Sequence, residues 1–275
     1  MLFSKHYPLN KMIKTQKELA FLRDLYIEDA WTHRFTEHVD KHIKLDEAEN
    51  LLYLNAGTGG HAFAISEKYG EKTDVFAACE NEDILSIARD KAAAVSSNVD
   101  FSTIRFEDDA FDAVLADATF VRPAELADFI DDAVRVGKHG ADVAFFLPSA
   151  GSYGEVFSVI WEVLFNEKLA EDNAAVERLV AAIPTISRVE EIAGGAGLVN
   201  IKTETAIEIF EFDNGAEFVA SPLVEDFLMP IWLETLSESE LARIIAKIAQ
   251  LIDSEEGELT FRFTVKATLV TGEKS

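Results

Sequence analysis

From Asn50 onward the apolar residues fall into short blocks separated by helical stripes. Leu51-Leu52-Tyr53-Leu54 is a continuous apolar run that ends in Asn55-Ala56-Gly57-Thr58-Gly59-Gly60, and it reads as a buried strand meeting a tight turn. His61 to Tyr69 reads as a helix, Asp74 to Cys79 as a second strand, and Asp83 to Val95 as a second helix. Val99-Asp100-Phe101 is a very short third strand and Phe111 to Ala116 a fourth. A helix over Ala124 to Val136 then leads to a fifth strand, Ala141 to Leu147, stopped by Pro148. Strands and helices alternating at these lengths predict βαβ units, and so an α/β fold whose mostly parallel sheet carries helices on both faces.

The flanks extend this pattern. Residues 1–47 read as a helical lead-in to an α/β domain over 48–275. Thr15-Gln16-Lys17-Glu18 is a capping box, in which a hydroxyl and a Glu three residues later satisfy two free backbone donors. Leu19, Phe21, Leu22 and Leu25 follow, and Trp31, Phe35, Val39 and Ile43 recur at helical spacing. Ser152-Tyr153-Gly154-Glu155 and Ser187-Arg188-Val189-Glu190 look like helix starts. Asn200 to Phe212 alternates as a strand, with Ile201, Thr203, Thr205, Ile207 and Ile209 on one side. Leu259, Phe261, Phe263, Val265 and Ala267 mark another. Between these two lies a helical insertion at about 213–257, too long for a plain loop. One helical piece runs near Pro222 to Leu236, and another opens on the capping box Ser237-Glu238-Ser239-Glu240.

Composition narrows the function. A chain of 275 residues, 48% hydrophobic, buries a large core. Its 50 acidic against 25 basic residues give a net charge of −25. That charge repels a phosphate backbone and argues against direct nucleic-acid binding. There is no apolar run of membrane-spanning length and no secretory signal pattern, so a cytoplasmic enzyme without a membrane span is expected. A single cysteine, Cys79, rules out an intramolecular disulfide and a multi-cysteine metal site, and reads as a buried strand residue. Oligomeric state is not legible.

The chemistry centres on the turn at 55–60. Three glycines in four residues, at positions 57, 59 and 60, let a ligand approach the backbone closely. The following helix aims its free N–H groups at that ligand. Glu80 ends the second strand, 21 residues after Gly59, where a carboxylate accepts both ribose hydroxyls of an adenosine-containing cofactor. Asp117 follows the fourth strand, as a ligand contact or as a cap. His61, at a helix N-terminus, is a candidate base, although its position alone suits a structural role better. His38 and His42 are spaced i, i+4 without an evident third ligand, which suits a surface helix and no metal. Trp161, Phe165, Phe210, Phe212, Phe218, Phe227 and Trp232 read mostly as core.

At these residues the chain resembles the class I S-adenosylmethionine-dependent methyltransferases. The run Leu51 to Gly59 looks like their first motif, an acid two residues before G-x-G-x-G, and Glu80 like their ribose acid. Arg105-Phe106-Glu107-Asp108-Asp109-Ala110-Phe111-Asp112-Ala113-Val114 is similar to their approach to strand four. Ala133-Val134-Arg135-Val136-Gly137-Lys138-His139-Gly140-Ala141 is similar to their turn into strand five. The resemblance implies a doubly wound, mostly parallel seven-stranded sheet (a Rossmann-like methyltransferase fold) closed by an antiparallel hairpin. It implies S-adenosylmethionine as the cofactor, a small-molecule acceptor, and cofactor contacts from Asn55, Ala56, Gly57, Thr58, Gly59, Glu80, Asn81, Phe106 and Asp117. No catalytic residue is singled out, because alignment of donor and acceptor carries much of this catalysis. The chain departs from the family at Tyr53, where an acid is usual, at Asn55, where the first Gly is usual, and in the short segment 99–105, which lacks an acid after strand three.

Two other functions compete. Gly57-Thr58-Gly59-Gly60-His61-Ala62 fits G-x-G-x-x-A, so an NAD(P)-dependent oxidoreductase is the alternative enzyme. The departures at Tyr53 and Asn55 favour a non-catalytic methyltransferase-like binding protein. In the insertion, Phe218, Pro222, Phe227, Met229 and Trp232 are placed to cover an acceptor site together with the N-terminal helices.

Overall fold

A computed structural model of the chain describes residues 14–43, 45, 48–255 and 260–275. Leu259, expected in the last strand, lies outside them. Among the described residues seven strands form one sheet: β1 (Asn50–Leu54), β2 (Asp74–Ala78), β3 (Asp100–Ser102), β4 (Phe111–Asp117), β5 (Gly137–Pro148), β6 (Leu198–Phe212) and β7 (Phe261–Lys274). Their order is β3-β2-β1-β4-β5-β7-β6. The first five run parallel, while β7 lies antiparallel between β5 and β6. The doubly wound sheet and the closing antiparallel pair both appear as expected.

Strand β1 shows why the apolar runs are continuous. Leu51 and Tyr53 enter one core and Leu52 and Leu54 the other, so both faces of the strand are buried. The first core also takes Ala62 and Ile65 of α3 (Gly60–Tyr69) and Ile84, Leu85 and Ala88 of α4 (Glu82–Val95). The second takes Leu126, Ile130 and Ala133 of α5 (Leu126–Val136), with Val189 and Ala193 of the helix Ile186–Gly195.

The lead-in is one continuous helical run. The short helix Gln16–Leu22 opens on the expected capping box at Thr15 and Glu18 and passes into a π-helical segment, Arg23–Thr32, then into a helix over His33–His42. Ala20, Arg23, Ile27, Trp31, Phe35 and Val39 are all buried, so this stripe docks on the first core. The Trp31 ring meets Phe35, Phe120, Tyr153 and Phe210.

Several local expectations are corrected. The helix over Gly154–Asn166 begins after Tyr153, which takes left-handed backbone angles, and Ser152 instead bonds the Ser149 carbonyl. The helix Ile186–Gly195 is capped by Thr185, whose hydroxyl accepts from the Arg188 N–H, and Ser187 lies inside it. Trp161 and Phe165 are 41% and 63% exposed rather than core, stacked on each other on the outer face of their helix. On β6 the Ile207 and Ile209 side is exposed, and Phe210 on the other face enters the core. The insertion before β7 holds helices Gly215–Ala220, Met229–Trp232 and Glu238–Glu255 and a π-helical turn, Leu223–Leu228.

Candidate functional site

The sheet order changes direction between β1 and β4, and the carboxyl ends of these strands frame the crevice where open α/β sheets bind ligands. Asn55 leaves β1 with φ +54°, a left-handed conformation that Asn tolerates, and its amide donates to the Asp117 carbonyl at 3.1 Å. This bond ties the two strand ends together across the crevice. Beside it lies a cavity of about 400 Å³. Asn55, Glu80, Asn81 and Asp117 line it from the sheet side, and Leu19, Ala20 and Arg23 from the lead-in. Asn81 also caps α4, its side-chain oxygen accepting from the Ile84 N–H at 3.0 Å.

Arg23 dominates the electrostatics. Its guanidinium is buried, lies 2.9 Å from Glu80 and 3.9 Å from Asp117, and stacks over the Phe120 ring at 4.8 Å. Burial alone would lower its pKa, but Glu80, Asp117 and Glu28 more than offset this and raise it. Asp117 accepts from the Thr119 N–H at 2.8 Å, so it caps a local turn rather than a helix. Burial pushes its carboxyl up to about 6 against the pull of Arg23.

The turn itself, Ala56, Gly57, Thr58 and Gly59, is roofed by the chain's own charges. A Cβ on Gly57 would lie 3.5 Å from Arg23 Nε, and one on Gly60 only 2.2 Å from Glu28 Oε1. A Cβ on Gly59 would lie 2.5 Å from the Phe101 ring, so that glycine serves close packing against β3. Thr58 is fully buried, with its hydroxyl 3.5 Å from Glu28 and 3.4 Å from Lys91. Burial raises the Glu28 carboxyl above its ordinary pKa, with Lys91 and Arg23 opposing. Ala56 is buried in the first core. Phe106 does not line the cavity: its ring packs on Phe111 against the second core, and Arg135 bonds its carbonyl and holds that segment against α5.

The remaining candidates have structural partners. His61 is buried between Asp40, at 3.1 Å, and the Tyr53 hydroxyl, at 3.3 Å. The His38 and His42 rings meet edge to face, and no group of metal-ligating side chains is found among the described residues. Cys79 is buried, and desolvation pushes its thiol up to about 12, which leaves it unreactive.

Arg23 and Glu28 were not marked in the sequence. The signal for Arg23 was available: it occupies the apolar stripe Ala20, Ile27, Trp31 and Phe35 at the i+3 and i+4 positions, where a cation needs a buried partner. Glu28 carries no such signal in an α-helical pattern. The π-helical segment widens the inward face and brings it in.

The donor set fits an adenosyl group. Glu80 presents a carboxylate at the cavity wall, Phe120 and Ile84 supply apolar walls, and Arg23, which also lines the cavity, has a buried Nε without a hydrogen-bond partner. A model of the ubiE/COQ5 methyltransferase family matches residues 11–169, more than half of the chain. The chain belongs to that family. As a member it is an S-adenosylmethionine-dependent methyltransferase, and neither the family nor its structural relatives point to a nicotinamide oxidoreductase. No curated protein matches it in sequence. Among solved structures it shares its fold with the YcgJ protein of Bacillus subtilis at 14% identity, a TM-score of 0.55, and coverage of 88% of this chain and 98% of that one. It also shares its fold with phosphoethanolamine N-methyltransferase 2 of Haemonchus contortus, crystallised with phosphomonomethylethanolamine and S-adenosylhomocysteine. There the identity is 12% and the TM-score 0.55, over 94% of this chain and 58% of that one.

Proposed function

We propose that this methyltransferase holds its cofactor in the cavity at the β1/β4 crevice and methylates a small apolar acceptor. The observation that carries the reading is the cavity of about 400 Å³ with Glu80 on its wall at the end of β2. Asn55, Asn81 and Asp117 form the rest of the sheet-side wall. The residues Ala56 to Gly59 belong to the cofactor site as its backbone floor, once the side chains above them are displaced. When bound, S-adenosylmethionine supplies an electrophilic methyl group. The chain's own residues then hold the two reactants in line and exclude water, which accounts for much of the rate.

A second, apolar pocket of about 70 Å³ supports the acceptor class. Phe120, Leu126, Tyr153, Phe157, Leu228 and Trp232 line it, and Phe120 and Val121 are shared with the first cavity. From the insertion, Phe227 borders the first cavity and Trp232 the second, while Phe218 and Met229 are buried in the core. Aromatic walls favour an aromatic or lipid-like acceptor. Tyr53 and Asn55 leave the crevice intact, so they give no reason to read the chain as a non-catalytic binder. We take residues 14–43 as a cover on an α/β domain running from about 48 to 275, and the enzyme as cytoplasmic and without a nucleic-acid partner given its net charge of −25.

Calorimetry with S-adenosylhomocysteine and with NADH, followed by transfer of labelled methyl from S-adenosylmethionine to a panel of phenols and prenylated alcohols, tests the reading. Binding of S-adenosylhomocysteine and labelling of an apolar acceptor are expected. Binding of NADH alone, or labelling only of strongly polar acceptors, would overturn it.

A further inference from the structure

The lead-in does more than roof the crevice: it sets two opposite charges on the glycine turn. Glu28 Oε1 is 2.2 Å from where a Gly60 Cβ would be, so its carboxylate packs against Gly60, the first residue of α3. That is where a helix attracts an anion. Among the described residues no cation lies within ion-pair distance of it, and its hydrogen-bond partner is the Thr58 hydroxyl at 3.5 Å. Arg23 rests on Gly57 and is held by Glu80, Asp117 and the Phe120 face, a setting built for a cation. The neighbouring adenosine-sized cavity stays open. Nothing fits between Glu28 and Gly60, while Arg23 lies one methyl's contact distance above Gly57.

We propose that Glu28 and Arg23 are an internal stand-in for the charged amino-acid end of the cofactor, and that both side chains must leave the turn before S-adenosylmethionine binds in full. This rests on the cofactor placement given above. The carboxylate of the incoming amino acid takes the α3 N-terminus from Glu28. The ribose hydroxyls take Glu80 from Arg23. Ile27, Trp31 and Phe35 anchor the lead-in in the core, so the exchange concerns the π-helical turn carrying the two charges and not release of the whole run. Full-length cofactor then binds only the displaced fraction of molecules, and its apparent affinity is reduced by that fraction. An adenosyl ligand without the amino acid still takes Glu80 from Arg23 but escapes the displacement of Glu28. The device therefore discriminates between ligands by their amino-acid end.

The test is calorimetry of S-adenosylhomocysteine and of 5′-methylthioadenosine, which lacks the amino acid, with the wild type, Glu28→Ala and Glu28→Gln, each checked by thermal melting. Glu28→Ala is expected to tighten S-adenosylhomocysteine about tenfold and leave 5′-methylthioadenosine within about twofold. Glu28→Gln, which keeps the volume and removes the charge, is expected to shift S-adenosylhomocysteine the same way by less. Unchanged or weaker S-adenosylhomocysteine binding in both variants, or equal tightening of both ligands, would overturn the stand-in while leaving the cofactor site in place. Failure of both ligands to bind any form would overturn the site itself, and the stand-in with it.

Discussion

Arg23 Nη2 lies 2.9 Å from Glu80 Oε1, so a cation from the lead-in occupies the acid at the end of β2. The two residues are far apart in the chain and meet only because the lead-in docks along its stripe of Ala20, Ile27 and Trp31. The pair joins the lead-in to the cavity wall, and each partner has its own measurable consequence.

Glu80→Ala is expected to weaken S-adenosylhomocysteine binding by about 1–3 kcal/mol, because charge-assisted hydrogen bonds to the ribose are lost. Calorimetry at fixed pH measures this. An unchanged dissociation constant would leave Glu80 only the role of counter-ion to Arg23.

Arg23→Ala removes the cation facing the buried Asp117 carboxyl and leaves Glu80 without its partner. Glu80 is exposed to solvent and only Asp117 is left as a buried group without its cation, so urea unfolding should show a loss of about 1–3 kcal/mol. The exposed pair Arg122–Glu234 is the control: Arg122→Ala is expected to change stability by about 0–1 kcal/mol.

Asp117 gives the stability a pH dependence. Its folded pKa is raised from an ordinary 3.8 to about 6 by burial. The folded state therefore binds the proton more tightly than the unfolded chain does. Below the ordinary value both states are protonated and there is no penalty. As pH rises towards 6 the unfolded chain ionises first and stability falls, by up to about 3 kcal/mol above pH 6. Asp117→Asn keeps an acceptor for the Thr119 N–H and cannot ionise. Its melting temperature should fall less than that of the wild type between pH 4 and 7. Parallel curves for the two proteins would refute this.

Gly57 and Gly59 separate strain from collision. Both have positive φ, +56° and +90°, so alanine is strained at either. At Gly57 the added methyl meets Arg23 at ordinary contact distance, and Gly57→Ala should cost only the backbone term, about 1–2 kcal/mol. At Gly59 it collides with the Phe101 ring at 2.5 Å. Gly59→Ala should cost more, about 2–4 kcal/mol, because overpacking adds to the strain. Equal unfolding free energies for the two variants would show that Phe101 moves aside freely.

The fold was legible because local patterns carry it. The run Leu51 to Leu54 could bury both faces only in a central strand, the tight turn formed at the glycines 57 and 59, and Glu80 lies on a cavity wall. Helix starts were legible where a capping box sits at the cap, as at Thr15, and misread at Ser152 and Ser187, where the neighbouring residue holds that place. Phe106 belongs to a sequence motif expected at the cofactor, yet its ring turned to Phe111, since a motif does not say which core a side chain enters. By itself, then, the sequence determined the order of strands and helices, the tight turn and the acid at its proper distance, all set by periodicity and backbone sterics within a few residues. Only the tertiary structure decided what covers the turn. Which side chains of a docked helix reach a distant site depends on its axial rotation and its π-helical widening, and these are settled by packing against the whole core.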